Sequence, residues 1–170
     1  MARLGTALLL ALVLGAGCGK SIGDACGTNV DCSITGERFC DTAPPGGYCT
    51  VEGCDVDTCP SESVCVRFFT PIMSESCQFD PGNARANCQV DERCVCDESP
   101  NGTCNDPVHA HCAPENSERR WCMKKCSHNG DCRNLYECRS TGTFGAEPVP
   151  SLENASGKQS TFCVSTGQPT

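Results

Sequence analysis

Cys26-Gly27-Thr28-Asn29-Val30-Asp31-Cys32 returns one hundred residues later as Cys126-Ser127-His128-Asn129-Gly130-Asp131-Cys132. Both copies obey C-x2-N-x-D-C. Each is followed by a third cysteine (Cys40; Cys138) and then by an aromatic–cysteine pair (Tyr48-Cys49; Phe162-Cys163). Recurrence of this kind marks a small supersecondary unit used more than once. A looser copy runs Cys54-x4-Cys59-x5-Cys65-x11-Cys77, and beyond it the cysteines crowd: Cys88, Cys94, Cys96, Cys104, Cys112 and Trp121-Cys122. The spacing divides the chain into a first module at 24–49, a second at 50–77 and a central cysteine-dense segment at 78–121. A third module follows at 122–163, carrying a cysteine-free loop at 139–161, and the chain ends in a tail at 164–170.

The chain has 170 residues and 19 cysteines, above the roughly 8–10% that marks a disulfide scaffold. From Cys18 onward there are only two Leu, three Ile and ten Val, too little aliphatic side chain for one sizeable core. No amphipathic helix longer than about two turns is legible, and Pro, Gly, Asn, Asp and Ser recur every few residues. The expected fold is therefore small and disulfide-rich, with irregular cysteine-rich modules, short β-hairpins and little helix. Cross-links worth ~2–4 kcal/mol each replace the missing core. If each four-cysteine module closes on itself, first-to-third and second-to-fourth is the natural pairing. Cys94 and Cys96 stand too close to bridge each other and should take different partners. The motif's Asn and Asp read as turn-makers, because short side-chain oxygens accept nearby backbone N–H groups. As calcium ligands, two oxygens per module fall short of the six to eight required.

The charge balance, 13 basic against 21 acidic residues for a net of −8, argues against nucleic-acid binding. No C-x2-C occurs, which removes the usual structural zinc spacing and the thiol-redox motif. His109 and His111, one residue apart beside Cys112, are the only metal candidates and make a poor ligand set. The third imidazole is His128, inside the repeated motif at the place where the first copy has Thr28. No G-x-S-x-G surrounds a serine and no paired carboxylates stand out, so neither an enzyme nor a cofactor is expected. Arg119, Arg120, Lys124 and Lys125 cluster around Trp121, either as a solvated face or as a contact for a phosphate-bearing lipid or glycan. Asn101-Gly102-Thr103 and Asn154-Ala155-Ser156 are sequons for N-glycosylation.

The N-terminus is an address. Arg3 precedes a run from Leu4 to Leu14 broken only by Gly5 and Thr6, too short to span a bilayer but suited to a signal peptide at 1–17. Leu14-Gly15-Ala16-Gly17-Cys18 resembles the lipobox of bacterial lipoproteins, with Gly15 where that family usually carries Leu. The resemblance implies cleavage before Cys18 and its acylation. Gly19, in place of the Asp that often retains such proteins at the inner membrane, implies outer-membrane sorting. Lipid on Cys18 also leaves eighteen cysteines, an even number that can all pair. Residues 18–23 then read as a lipid-anchored tether. Taken whole, the chain resembles cysteine-rich lipoproteins of unassigned function from myxobacterium-like Gram-negative bacteria. That family carries no assigned activity, and the expected role is a non-enzymatic envelope protein, held to the membrane by its lipid, which binds an envelope protein or glycan. The alternatives are a secreted disulfide-rich ligand or protease inhibitor, and an envelope metal-binding protein.

Overall fold

The first C-x2-N-x-D-C stretch forms one helical turn, α1 (Asn29–Cys32), followed by a hairpin of β1 (Phe39–Asp41) and β2 (Tyr48–Thr50). The computed structural model describes residues 19–70, 75–78, 87–96, 110–154 and 157–167. Asp31 accepts the backbone N–H groups of Gly27 and Thr28 at 2.8 and 2.9 Å, while Asn29 Oδ1 accepts that of Cys40 at 2.9 Å. The second stretch does the same in a 3-10 turn, Asn129–Asp131. Asp131 accepts from Ser127 at 2.7 Å and His128 at 3.2 Å, and Asn129 accepts from Cys138 at 2.9 Å. Turn-making is thus the role of both residues. The Asn does more than shape its own turn, because it ties that turn to the strand carrying the third cysteine.

The remaining strands are β3 (Ser63–Phe68), β4 (Glu92–Cys96), β5 (Ala110–Pro114), β6 (Arg119–Lys124), β7 (Tyr136–Ser140), β8 (Ala146–Pro148) and β9 (Thr161–Ser165). They pair antiparallel as β4–β5, β7–β9 and a three-stranded sheet in the order β6-β3-β8. Among the described residues, helix is limited to α1 and two 3-10 turns, Asn129–Asp131 and Glu115–Ser117. The protein is small, disulfide-rich and built of short β-hairpins.

One wiring rule runs through it. In four of the five ladders, all but β3–β8, two cysteines stand directly opposite: Cys40 and Cys49, Cys65 and Cys122, Cys94 and Cys112, Cys138 and Cys163. Directly opposed residues of an antiparallel pair turn their side chains to the same face. The opposed cysteines nevertheless do not bond to each other. The earlier one of each pair bridges back to a first cysteine: Cys26–Cys40, Cys54–Cys65, Cys77–Cys94, Cys126–Cys138. The later one bridges to a second: Cys32–Cys49, Cys59–Cys122, Cys88–Cys112, Cys132–Cys163. Cα–Cα distances of 5.4–5.8 Å lie in the middle of the range for a disulfide. In the first group Cys26, Cys32, Cys40 and Cys49 form a buried cluster by themselves, so the sulfur is the core. Cys96 is also disulfide-bonded.

The second group does not close within 50–77. Its fourth cysteine is Cys122, 63 residues beyond Cys59, while Cys77 pairs with Cys94. These two bridges cross both expected boundaries, at 77/78 and at 121/122. The β4–β5 hairpin is therefore an insertion between the third and fourth cysteines of the second group. Its two ends leave the sheet together, since Phe68 and Arg119 are paired neighbours on β3 and β6.

Three further segments differ from the sequence reading. The described part of the tether expected at 18–23, residues 19–23, is docked: Ile22 is fully buried in the cluster with Tyr48, Cys54 and Cys65, and the Gly23 N–H donates to Cys49 C=O. The expected loop at 139–161 contributes β8, whose three residues pair with β3. A strand that short leaves no period in the sequence, and its partner lies some eighty residues away. The expected tail at 164–170 starts too early, because β9 runs to Ser165, and Val164 and Ser165 are buried against β7.

Two outcomes test this architecture. Because loop-closure entropy grows with loop length, Cys59→Ser/Cys122→Ser should lower denaturation stability more than Cys54→Ser/Cys65→Ser, whose loop spans 11 residues. Hydrogen bonds from Gly27 and Thr28 hold the Asp31 carboxyl below its ordinary range, and those from Ser127 and His128 do so for Asp131. A depressed folded value means that this stabilisation is present above the ordinary Asp value of about 3.9 and is lost as pH falls through the depressed one. Carboxyl NMR titration should place both midpoints below that value, with the four N–H resonances moving in step.

Candidate functional site

Strand alternation on β6 sends Arg119, Trp121 and Met123 to one face, away from Arg120, Cys122 and Lys124. On that face lies a cavity of about 220 Å³. Its walls are completed by Asp41, Pro44, Tyr48 and Thr50 from the first hairpin, Phe68 and Phe69 at the end of β3, and Tyr136 and Val164 from the last hairpin. Ring pairs hold these walls. Phe39 packs on Trp121 at 5.4 Å between centroids, Tyr48 stacks on Tyr136 at 5.6 Å, and Phe68 meets Phe162 edge-on at 5.9 Å. An apolar cavity of roughly 150 Å³ holds a benzene ring, so this one has room for a large apolar side chain.

Four of the hydroxyls around it are committed to the fold. Tyr48 accepts the Lys124 N–H at 2.9 Å and donates to Cys163 C=O at 3.3 Å. Thr50 donates to Cys122 C=O at 2.9 Å, and Tyr136 donates to Pro45 C=O at 3.2 Å. Ser117 donates to Pro114 C=O at 2.8 Å and accepts the Thr70 N–H at 3.3 Å. Burial pushes the Tyr48 and Tyr136 phenols up, so both stay neutral. Arg119 at the rim is the one described arginine with neither a carboxylate nor an aromatic ring as partner; its Nη1 donates to Glu118 C=O at 3.0 Å.

Beneath the cavity, Phe69 docks the inserted hairpin by packing with Val95 and Ala113. Buried charges brace that junction. Glu147 of β8 meets Arg67 at 2.9 Å and Arg93 of β4 at 2.6 Å, and both guanidiniums lie against the Phe69 ring, at 5.5 and 4.8 Å from its centroid. Arg67 and Glu147 are each 6% exposed. Burial pushes the Glu147 carboxyl up, and the two guanidiniums offset part of that rise. Removing one partner from such a group strands buried charge, at a typical cost of about 3–5 kcal/mol. The cavity floor is therefore rigidly held.

The structure disperses the other sequence candidates. Strand alternation splits the basic cluster. Arg120 is tied to Glu118 and Asp55, Lys125 donates to Ser61 C=O, and the Lys124 stem covers Gly23. His128 is an exposed cap residue 3.7 Å from the Asp131 carboxylate. His111 is half-buried on β5 opposite Val95. His109, Cys104, Asn101 and Cys18 lie outside the described residues. The Asn154 amide donates to Gly157 C=O at 2.9 Å. Close groups of sulfur atoms exist, such as Cys54, Cys59 and Cys122, but they are adjacent disulfides and offer no thiolate.

Sequence reasoning missed the cavity itself. The alternating Arg119-x-Trp121-x-Met123 is the available signal, masked by the basic residues interleaved with it. Trp121 is the chain's single tryptophan, so its emission reports occupancy. Addition of 2-phenylethanol should change that emission saturably. Val164→Phe, which fills the space, should weaken the response, and a linear response without saturation would remove the cavity as a site. No protein-family model, no curated protein and no solved structure matches this chain.

Proposed function

We propose that the protein is a non-catalytic binding module of the bacterial envelope, held at the outer membrane by lipid on Cys18, whose aromatic cavity receives an apolar side chain of a partner protein. So many disulfides form and persist in an oxidising compartment outside the cytosol. Among the described residues, no helix is long and apolar enough to cross a membrane.

The observation that carries the reading is the sulfur count. All seventeen described cysteines are bridged, and sixteen of them pair with one another. Cys96 needs a partner from the two that remain, Cys18 and Cys104. Cys104 stands eight residues from it, whereas Cys18 belongs to the lipobox-like stretch. One sulfur is left over, and acylation of Cys18 accounts for it. A diacylated, N-acylated cysteine anchors durably because each buried methylene adds ~0.8 kcal/mol.

The binding role rests on the cavity. A glycan would need free hydroxyl and amide partners, and the Tyr48, Thr50, Ser117 and Tyr136 hydroxyls are already spent. Apolar rings and Met123 make up most of what remains on offer, with Asp41, Thr70 and Arg119 beside them. Neither described histidine lines the cavity, which fits binding without chemistry.

The test is an intact mass of protein from native membranes, before and after reduction and alkylation. The expected result is a mature chain starting at an acylated Cys18, with no alkylation before reduction. A chain starting at an unmodified residue would instead mark a secreted protein and contradict the anchor.

A further inference from the structure

The docked N-terminal segment brings the anchor point to a particular face. Gly19 lies against the α1 end, where a Cβ would stand 3.0 Å from Cys32 C=O. The next residue is pinned as well: Arg38 donates to Lys20 C=O at 2.6 Å, and Lys20 Nζ donates to Ala25 C=O at 2.8 Å. Around Gly19 is a hollow lined by Val30, Ser33, Ile34, Thr35, Glu37 and Arg38. Val30 is 68% exposed and Ile34 81% exposed. Apolar side chains this open gain little from folding.

The internal repeat supplies a control. The second copy has the same turn, the same Asp and Asn hydrogen bonds and the same bridges. Yet Gly130 and Asn134 stand where the first copy has Val30 and Ile34. The turn therefore does not require apolar residues at these two places. They occur in the copy that adjoins Gly19, whereas the second copy exposes one apolar side chain, Leu135, where the first has Thr35.

Cys18 follows from Gly19 by a single peptide unit, about 3.8 Å between Cα atoms. We infer that the Val30/Ile34 face lies against the bilayer, with both side chains at the boundary between headgroups and acyl chains, so that the body is held at the membrane in one orientation. Lys20, exposed on the same segment, suits anionic headgroups. Arg38 is engaged with Glu62 at 3.6 Å, and Glu37 is the carboxylate in the lining of the hollow. This inference rests on acylation of Cys18. A short apolar patch then needs only to orient a protein that the lipid already holds.

The experiment places the acylated protein in nanodiscs of phosphatidylethanolamine and phosphatidylglycerol doped with a gadolinium-chelating lipid. Amide relaxation is read at residues 30–35 and at their counterparts 130–135. The expected enhancement is several-fold larger in the first stretch, and Val30→Asp/Ile34→Asp should abolish the difference while acylation and all bridges persist. Equal enhancement in both stretches would overturn the orientation. So would contacts at 30–35 that depend on protein concentration rather than lipid, which would point to a second copy of the chain. An intact mass on the same sample separates the two readings: an unmodified Cys18 removes the anchor and this inference together, whereas an acylated Cys18 with equal relaxation removes this inference alone.

Discussion

Two cysteines facing each other across a pair of strands, each bonded to the segment before the hairpin, form the constraint on which this protein depends. A two-stranded hairpin is marginal by itself in water. Here the preceding turn is stapled across one face of the ladder by two adjacent bridges, and that face is thereby closed without a layer of aliphatic side chains. The arrangement occurs at Cys40 and Cys49, Cys65 and Cys122, Cys94 and Cys112, and Cys138 and Cys163. In the first and last groups the Asn and Asp of the turn supply the hydrogen bonds that set the approach of the first two cysteines.

The groups are then joined by a few deliberate contacts. Tyr48 reaches two other groups at once, through the Lys124 N–H on β6 and Cys163 C=O on β9, and its ring stacks on Tyr136. Glu147 holds the inserted hairpin to the central sheet through Arg67 and Arg93. Where the first hairpin, the central sheet and the last hairpin meet, ring-shaped side chains leave a gap that polar atoms do not fill. The cavity is thus a product of docking stapled units, a common place for a binding site. The same logic places the N-terminus: Ile22 fills a hole among these units and so fixes where the preceding residue emerges.

Much of the local structure was legible. The cysteine density, the absence of aliphatic repeats and the C-x2-N-x-D-C motif gave the fold class, the turns and the first-to-third, second-to-fourth order at 26–49 and 126–163. What was not legible is long-range. Cys59 offers no local sign that it waits for Cys122 rather than Cys77, because the deciding event is the pairing of β3 with β6 across an inserted hairpin. Ala146-Glu147-Pro148 carries no strand signature, and the buried role of Glu147 exists only because Arg67 and Arg93 converge on it from elsewhere. The cavity was invisible for the same reason, since its walls come from segments far apart in the chain. A lone Ile22 within a polar stretch was likewise the only hint that the leading residues dock.

The most direct test of the account is a disulfide map of the unreduced protein, digested at acid pH to prevent exchange and read by mass spectrometry. The wiring rule requires linked peptides joining Cys59 to Cys122 and Cys77 to Cys94, together with the crossed pairs at 26–49 and 126–163. A peptide joining Cys59 to Cys77, which would close the second group on itself, would contradict the inserted hairpin and with it the shared strand pairing that builds the cavity.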